Sequence, residues 1–166
     1  MSDRVGLLRR LGVALQPDEE FDRMARDLAE ELGVPDGMAM VNFIGVDQQY
    51  FAGLHTPDGT TIDREMSRED GWCPHTVLRE VPLPLSDVAS WSRFQTNRVA
   101  EEFGIESYIG APLPGRAGDG NLGTICLIDS QTHDWTIDHV RTITAFAERV
   151  ANLIYRRAGI SPDGNR

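Results

Sequence analysis

Cys73-Pro74-His75 sets a thiol two residues from an imidazole, the tightest grouping of reactive side chains in the 166-residue chain. Two chemistries suit it. An imidazolium beside a thiol favours the thiolate and makes a nucleophile, and Cys and His are both zinc ligands. A zinc site needs three or four ligands at recognisable spacing, and only the scattered His55, His133 and His139 remain to complete one. Metal binding is not expected. The structural alternative is that Cys73 packs in the core and His75 caps or hydrogen-bonds a loop; the functional reading puts both in a pocket wall. Cys126, the other cysteine, lies between Ile125 and Leu127 and reads as a small buried hydrophobe.

Trp72, Trp91, Phe94 and Tyr108 join this group as aromatics. Rings with polar tips commonly line small-molecule sites, although core packing explains them too. The candidate ligand-binding set is therefore Trp72, Cys73, His75, Trp91, Phe94 and Tyr108, with no catalytic residue and no metal ligand assigned. No Ser-His-Asp arrangement is legible from spacing. The glycines between Gly115 and Gly120 join two expected strands and precede no helix, so they make no phosphate loop.

Composition narrows the partners. Sixteen Lys and Arg against 26 Asp and Glu leave a net charge of −10, which repels nucleic-acid phosphates and anionic membrane. Neither partner is expected. The length suits one domain with a core that needs no staples, and 40% apolar with 25% charged residues is ordinary for a globular protein. Two cysteines allow at most one disulfide. The first residues lack the apolar stretch of a signal peptide, and no apolar run reaches the roughly 18 residues of a membrane span. A reduced, cytoplasmic protein is expected.

The elements that must position these residues follow from periodicity. Val5, Leu8, Leu11 and Leu15 recur at three and four, predicting a helix from Asp3 to Leu15. Phe21, Met24, Ala25, Leu28 and Leu32 trace a second, closed by Gly33 and Pro35. Ala39 to Val46, broken by Asn42 and Gly45, and the run around Tyr50-Phe51 predict a hairpin. Thr56 to Gly71 reads as a long surface loop, and Cys73 to Arg79 as a short helix that tolerates Pro74 in its first turn. Pro82 and Pro84 confine Val81 to Leu85 to a sheet edge, and Trp91 to Phe103 reads as irregular or partly helical. Ser107 to Leu113 and Leu122 to Asp129 predict a second hairpin, its apolar second strand central. A long helix follows from an N-cap at Thr136, with Trp135 and Val140 as a hydrophobic staple. Its apolar face runs through Ile137, Val140, Ile143, Phe146, Ala147, Val150 and Ile154.

Helix, hairpin, crossover, hairpin, helix is the order of an α+β domain with an antiparallel sheet. On its residues the chain resembles a GAF domain from about Asp18 to Arg157. The resemblance rests on Asp47-Gln48-Gln49-Tyr50-Phe51, on Gly71-Trp72-Cys73-Pro74-His75-Thr76-Val77-Leu78, and on Asp87, Arg93-Phe94 and Asn97. Its most specific part is Tyr108-Ile109-Gly110-Ala111-Pro112-Leu113, followed by Leu122-Gly123-Thr124-Ile125-Cys126-Leu127-Ile128-Asp129. It implies a central antiparallel β-sheet of five or six strands with the N- and C-terminal helices packed on one face. On the other face, the segment from Gly53 to Phe103 would fold over a ligand pocket. Residues 1–16 are then an N-terminal helix available for dimerisation, 17–158 the domain and 159–166 a disordered tail.

The function implied is that of a small-molecule-sensing or regulatory signalling module. It would bind an unidentified ligand, form a homodimer through its terminal helices, and act through a partner signalling protein, since 166 residues leave no room for an output domain. An alternative is a thiol-dependent reductase of the free methionine sulfoxide type using Cys73. Those enzymes use loop cysteines, and the present placement, one cysteine in a strand and one before a short helix, departs from theirs. A structural dimerisation module with a vestigial pocket is the third reading. The patterns for cyclic nucleotides and bilins are missing, and His75 has no supporting haem signature, so the cofactor stays unassigned.

Overall fold

The computed structural model describes residues 3–91 and 98–161. Six strands form one antiparallel sheet: β1 (Met38–Ile44), β2 (Gln48–His55), β3 (Glu65–Ser67), β4 (Leu83–Leu85), β5 (Ser107–Pro112) and β6 (Thr124–Asp129). Their order across the sheet is β3-β2-β1-β6-β5-β4. The apolar strand β6 is central, paired with β1 and β5. The Pro84-containing strand β4 is an edge, where a missing N–H costs no ladder bond.

Three helices cover one face. They are α1 (Arg4–Arg10), α2 (Glu19–Glu31) and α5 (Ile137–Arg157). Asp18 caps α2 by accepting from the backbone N–H groups of Glu20 and Phe21. It also takes a 2.7 Å bond from Arg157, tying the start of α2 to the end of α5. Phe21, Ala25, Leu28 and Ala29 of α2 are buried with Ile143, Phe146, Ala147 and Val150 of α5 against Ala39, Val41, Phe43, Ile125 and Leu127 of the sheet. Each large side chain so buried contributes about 1.5–3 kcal/mol. Gly53 lets α2 approach closely, because a Cβ there would lie 2.7 Å from the Phe21 carbonyl oxygen. Opposite it, Val41 pairs with Gly53 and Asn42 with Phe51. The resulting bulge at Ala52 shifts the alternation of β2, so that Gln49 and Phe51 but also Leu54 reach the far face.

The opposite face carries a second core, made by Met40, Ile44, Phe51, Trp72, Cys73, Val77, Leu85, Val88, Val99, Tyr108, Cys126 and Ile128. Over it lie α3 (Cys73–Thr76), a 3-10 turn at Val88–Ser90, and α4 (Arg98–Phe103). The arrangement is the α+β architecture expected, with six strands.

Several expectations need correction. The Thr56–Gly71 segment holds the edge strand β3, paired with Gln48–Tyr50; three residues, two of them exposed, carry no apolar alternation to reveal it. The first helix ends at Arg10 rather than Leu15, with Gly12 at φ +74°. Its Leu7, Leu8 and Leu11 are buried in the helix-side core of their own chain, whereas Leu15 is 60% exposed. In α5 the apolar face begins at Val140; Ile137 is exposed. No helix among the described residues is long and apolar enough to cross a membrane.

Candidate functional site

The second core is polar at its centre. In β1, Met40, Asn42 and Ile44 share the face away from the helices, so the lone polar residue of that strand is driven under the cover. Asn42 is fully buried, and its Nδ2 donates to Gln49 Oε1 at 2.7 Å. Gln49 in turn donates to the carbonyls of Ser67 (2.8 Å) and Asp70 (2.5 Å). This pins the end of β3 and the turn before α3 to the sheet.

Strands β5 and β6 bring the remaining groups. Tyr108 Oη meets Thr76 Oγ1 at 2.7 Å and Cys73 Sγ at 3.4 Å, while its ring lies 5.4 Å from that of Trp72. Cys73 Sγ stands 3.3 Å from Cys126 Sγ, both thiols free and buried. Interaction with Cys126 foremost, aided by Tyr108 and Asn42, outweighs burial and pulls Cys73 down to about 7. The same contact and burial push Cys126 well up, and burial foremost pushes Tyr108 up.

Around these groups is a cavity of about 30 Å³, with Asn42, Gln49, Phe51, Trp72, Tyr108 and the two cysteines in its wall. That is room for about one water-sized molecule. Asn42 Oδ1, Trp72 Nε1 and Thr124 Oγ1 are buried without a hydrogen-bond partner among the described residues. Among the described residues no charged side chain lines the cavity, and no group of three metal-ligating side chains occurs.

Of the expected site residues, Trp72, Cys73 and Tyr108 come together here. His75 is half-buried on α3 and outside the cavity wall. Trp91 is 50% exposed beyond the 3-10 turn and does not reach the cavity. Phe94 lies outside the described residues. Asn42, Gln49, Thr76 and Cys126 were not in the expected set. The polar interruption at Asn42 was a visible signal, because it has the parity of Met40 and Ile44.

The profile of the GAF domain matches residues 16–154. The chain belongs to the GAF domain family. Among curated proteins no sequence match is found. Solved structures agree with the GAF fold. The GAF domain of a phosphoenolpyruvate-protein phosphotransferase from Acinetobacter is similar at TM-score 0.66 and 14% identity, over 96% of this chain and 98% of that one. A type II free methionine-R-sulfoxide reductase from Thermoplasma acidophilum is similar at TM-score 0.63 and 16% identity, over 82% and 91%. The blue-light-absorbing PixJ GAF domain of Thermosynechococcus elongatus follows at TM-score 0.65 and 13% identity, over 90% and 87%. At these identities the likeness is one of GAF fold, shared by sensory domains and enzymes alike.

Proposed function

We propose that this chain is a sensory GAF module that binds a small neutral polar molecule beneath its cover and signals through a partner protein. One observation carries the reading: Asn42 Oδ1 and Trp72 Nε1, an acceptor and a donor in residues that wall one cavity, are buried without partners among the described residues. Leaving such groups unsatisfied costs about 1–3 kcal/mol each, a cost that a ligand offering the complementary donor and acceptor removes. Among the described residues the wall holds no cation, and the chain carries a charge of −10, which suits a neutral ligand. A ligand larger than the cavity enters by lifting the cover. The cover is built of short pieces: a three-residue strand, a four-residue helix without a side-chain N-cap, and the loop between β2 and β3. Such pieces open at low free-energy cost. Two free thiols suit a reducing cytoplasm.

An output route supports the same reading. Asn121 Nδ2 donates to the Val77 and Arg79 carbonyls after α3, and its own carbonyl accepts from Arg4 Nε of α1. Movement of α3 is thereby passed to the N-terminal helix, where a second copy or a signalling partner would read it. Native mass spectrometry of the protein as purified, with thermal shifts against neutral polar metabolites, tests the binding. A ligand that raises the midpoint of the wild type and not of Asn42→Leu is expected. No bound species and no shift with any such compound would overturn the reading.

A second reading has one observation in its favour, the adjacent thiols in the cavity: a thiol-dependent reductase of the free methionine sulfoxide type acting through Cys73. Thioredoxin-coupled turnover of free methionine sulfoxide, abolished by Cys73→Ser, would establish the enzyme instead.

A further inference from the structure

The geometry points to a dithiol site at Cys73 and Cys126 that hydrogen peroxide oxidises to an intramolecular disulfide. This goes beyond ligand sensing and does not require it. The sulfurs are 3.3 Å apart, and a bond at about 2.05 Å needs only a short further approach. The two partners differ in what holds them. Cys126 is fixed mid-strand in β6, paired on both sides with Met40 and Gly110. Cys73 opens α3, a single short turn without a side-chain N-cap. Closure therefore moves Cys73 toward a stationary Cys126.

Both thiols wall the cavity of about 30 Å³, and no other described pocket includes either. A space for about one water selects among oxidants by size: hydrogen peroxide fits with slight widening, while an alkyl or aryl hydroperoxide needs the cover displaced. The Tyr108 hydroxyl, 3.4 Å from Cys73 Sγ and held by Thr76 at 2.7 Å, is placed to hydrogen-bond the entering oxygen. Cys73, on the short turn and beside the Tyr108 hydroxyl, takes the attacking role, and Cys126, paired on both sides in its strand, the resolving one; the lowered Cys73 and raised Cys126 agree with that order.

The steps balance as follows. A lone pair of the Cys73 sulfur attacks one peroxide oxygen; the S–O bond forms, the O–O bond breaks, and the departing oxygen takes up the proton Cys73 had released, leaving as water. Cys73 is now a sulfenic acid. The Cys126 sulfur attacks it; the S–S bond forms, the S–O bond breaks, and the hydroxyl leaves with the Cys126 proton as a second water. Two thiols and one peroxide give one disulfide and two waters. An external dithiol reverses the change by exchange, becoming a disulfide itself.

The test uses the full reduced chain treated with hydrogen peroxide, quenched by alkylation under denaturing conditions and weighed intact. The expected product has lost two hydrogens and both alkylation sites together, remains a single chain, and regains both sites with dithiothreitol. Its rate rises as pH passes about 7 and is at least about tenfold lower with cumene hydroperoxide, a ratio of about 1.4 kcal/mol in barrier. Cys126→Ser should stop at a Cys73 sulfenic acid that dimedone captures when the oxidised chain is unfolded in its presence, and Cys126→Ala gives a second check of the same point in case the serine disturbs packing. Thiols that stay alkylatable under peroxide doses that oxidise free cysteine would overturn the proposal. So would an intermolecular disulfide, sulfinic acid as the main product of the wild type, or equal rates with the two peroxides.

Discussion

Tyr108 lies across Gly110: its hydroxyl occupies the space that a Cβ at position 110 would take. Both residues point to the cover side of β5, two apart on one strand. The glycine is what lets the phenol lie flat along the sheet and reach Thr76 and Cys73.

Gly110→Ala should therefore cost about 1–3 kcal/mol through overpacking and push the Tyr108 hydroxyl off Thr76. Urea denaturation measures it, and a double-mutant cycle with Tyr108→Phe assigns it. The alanine should cost less in the phenylalanine background, because the nearest clashing atom is then gone. An equal cost in both would show that the hydroxyl does not set the need for glycine.

Gln49→Leu should loosen the cover without unfolding the sheet. It removes the bonds to the Ser67 and Asp70 carbonyls and strips Asn42 of its acceptor. With buried polar groups left unpaired, about 2–4 kcal/mol is lost. Hydrogen exchange should rise across residues 56–72 while the β1–β6 pairing stays protected.

Alkaline stability should carry the mark of Tyr155. Its hydroxyl donates to Asp119 at 2.8 Å and accepts from the Arg116 backbone N–H at 2.7 Å, and burial first, then Asp119, raises it to about 12. A folded value above the unfolded one of about 10 gives a contribution intact below pH about 10 and lost as pH climbs through about 12. Tyr108, also raised, adds a loss of the same sign. Tyr155→Phe should show a shallower decline over that range, at a cost of about 1 kcal/mol near neutrality. Denaturation midpoints at stepped pH check both.

Removing residues 1–15 tests what α1 does. Leu7, Leu8 and Leu11 are each at most 7% exposed in the helix-side core. Their loss should destabilise the domain by at least about 2 kcal/mol after the ordering entropy of the helix is returned. Light scattering on the same pair of chains reads the oligomeric state. A dimer in the intact chain that becomes a destabilised monomer on truncation would give α1 both roles; unchanged stability would contradict its packing.

What the sequence determined by itself is whatever rests on local period and chemistry. Phe21, Ala25, Leu28 and Ala29 at helical spacing behind a capping Asp18 specify α2 and the face it buries. The apolar run through Cys126 specifies a central strand, and Pro84 an edge. Each outcome follows from a few neighbouring residues, so it survives without knowledge of the fold. The centre of the site was decided only in three dimensions. Cys73 and Cys126 are 53 positions apart, and nothing local says that a helix start and a mid-strand thiol share one cavity. Sheet order does: β6 lies between β1 and β5, so alternate residues of these three strands bring Asn42, Cys126 and Tyr108 onto one face. The crossover through Gln49 and Asp70 then lowers α3 onto them. Side-chain parity says which face a residue takes, but pairing order and the cover's path decide which residues meet there, because both depend on contacts between distant segments.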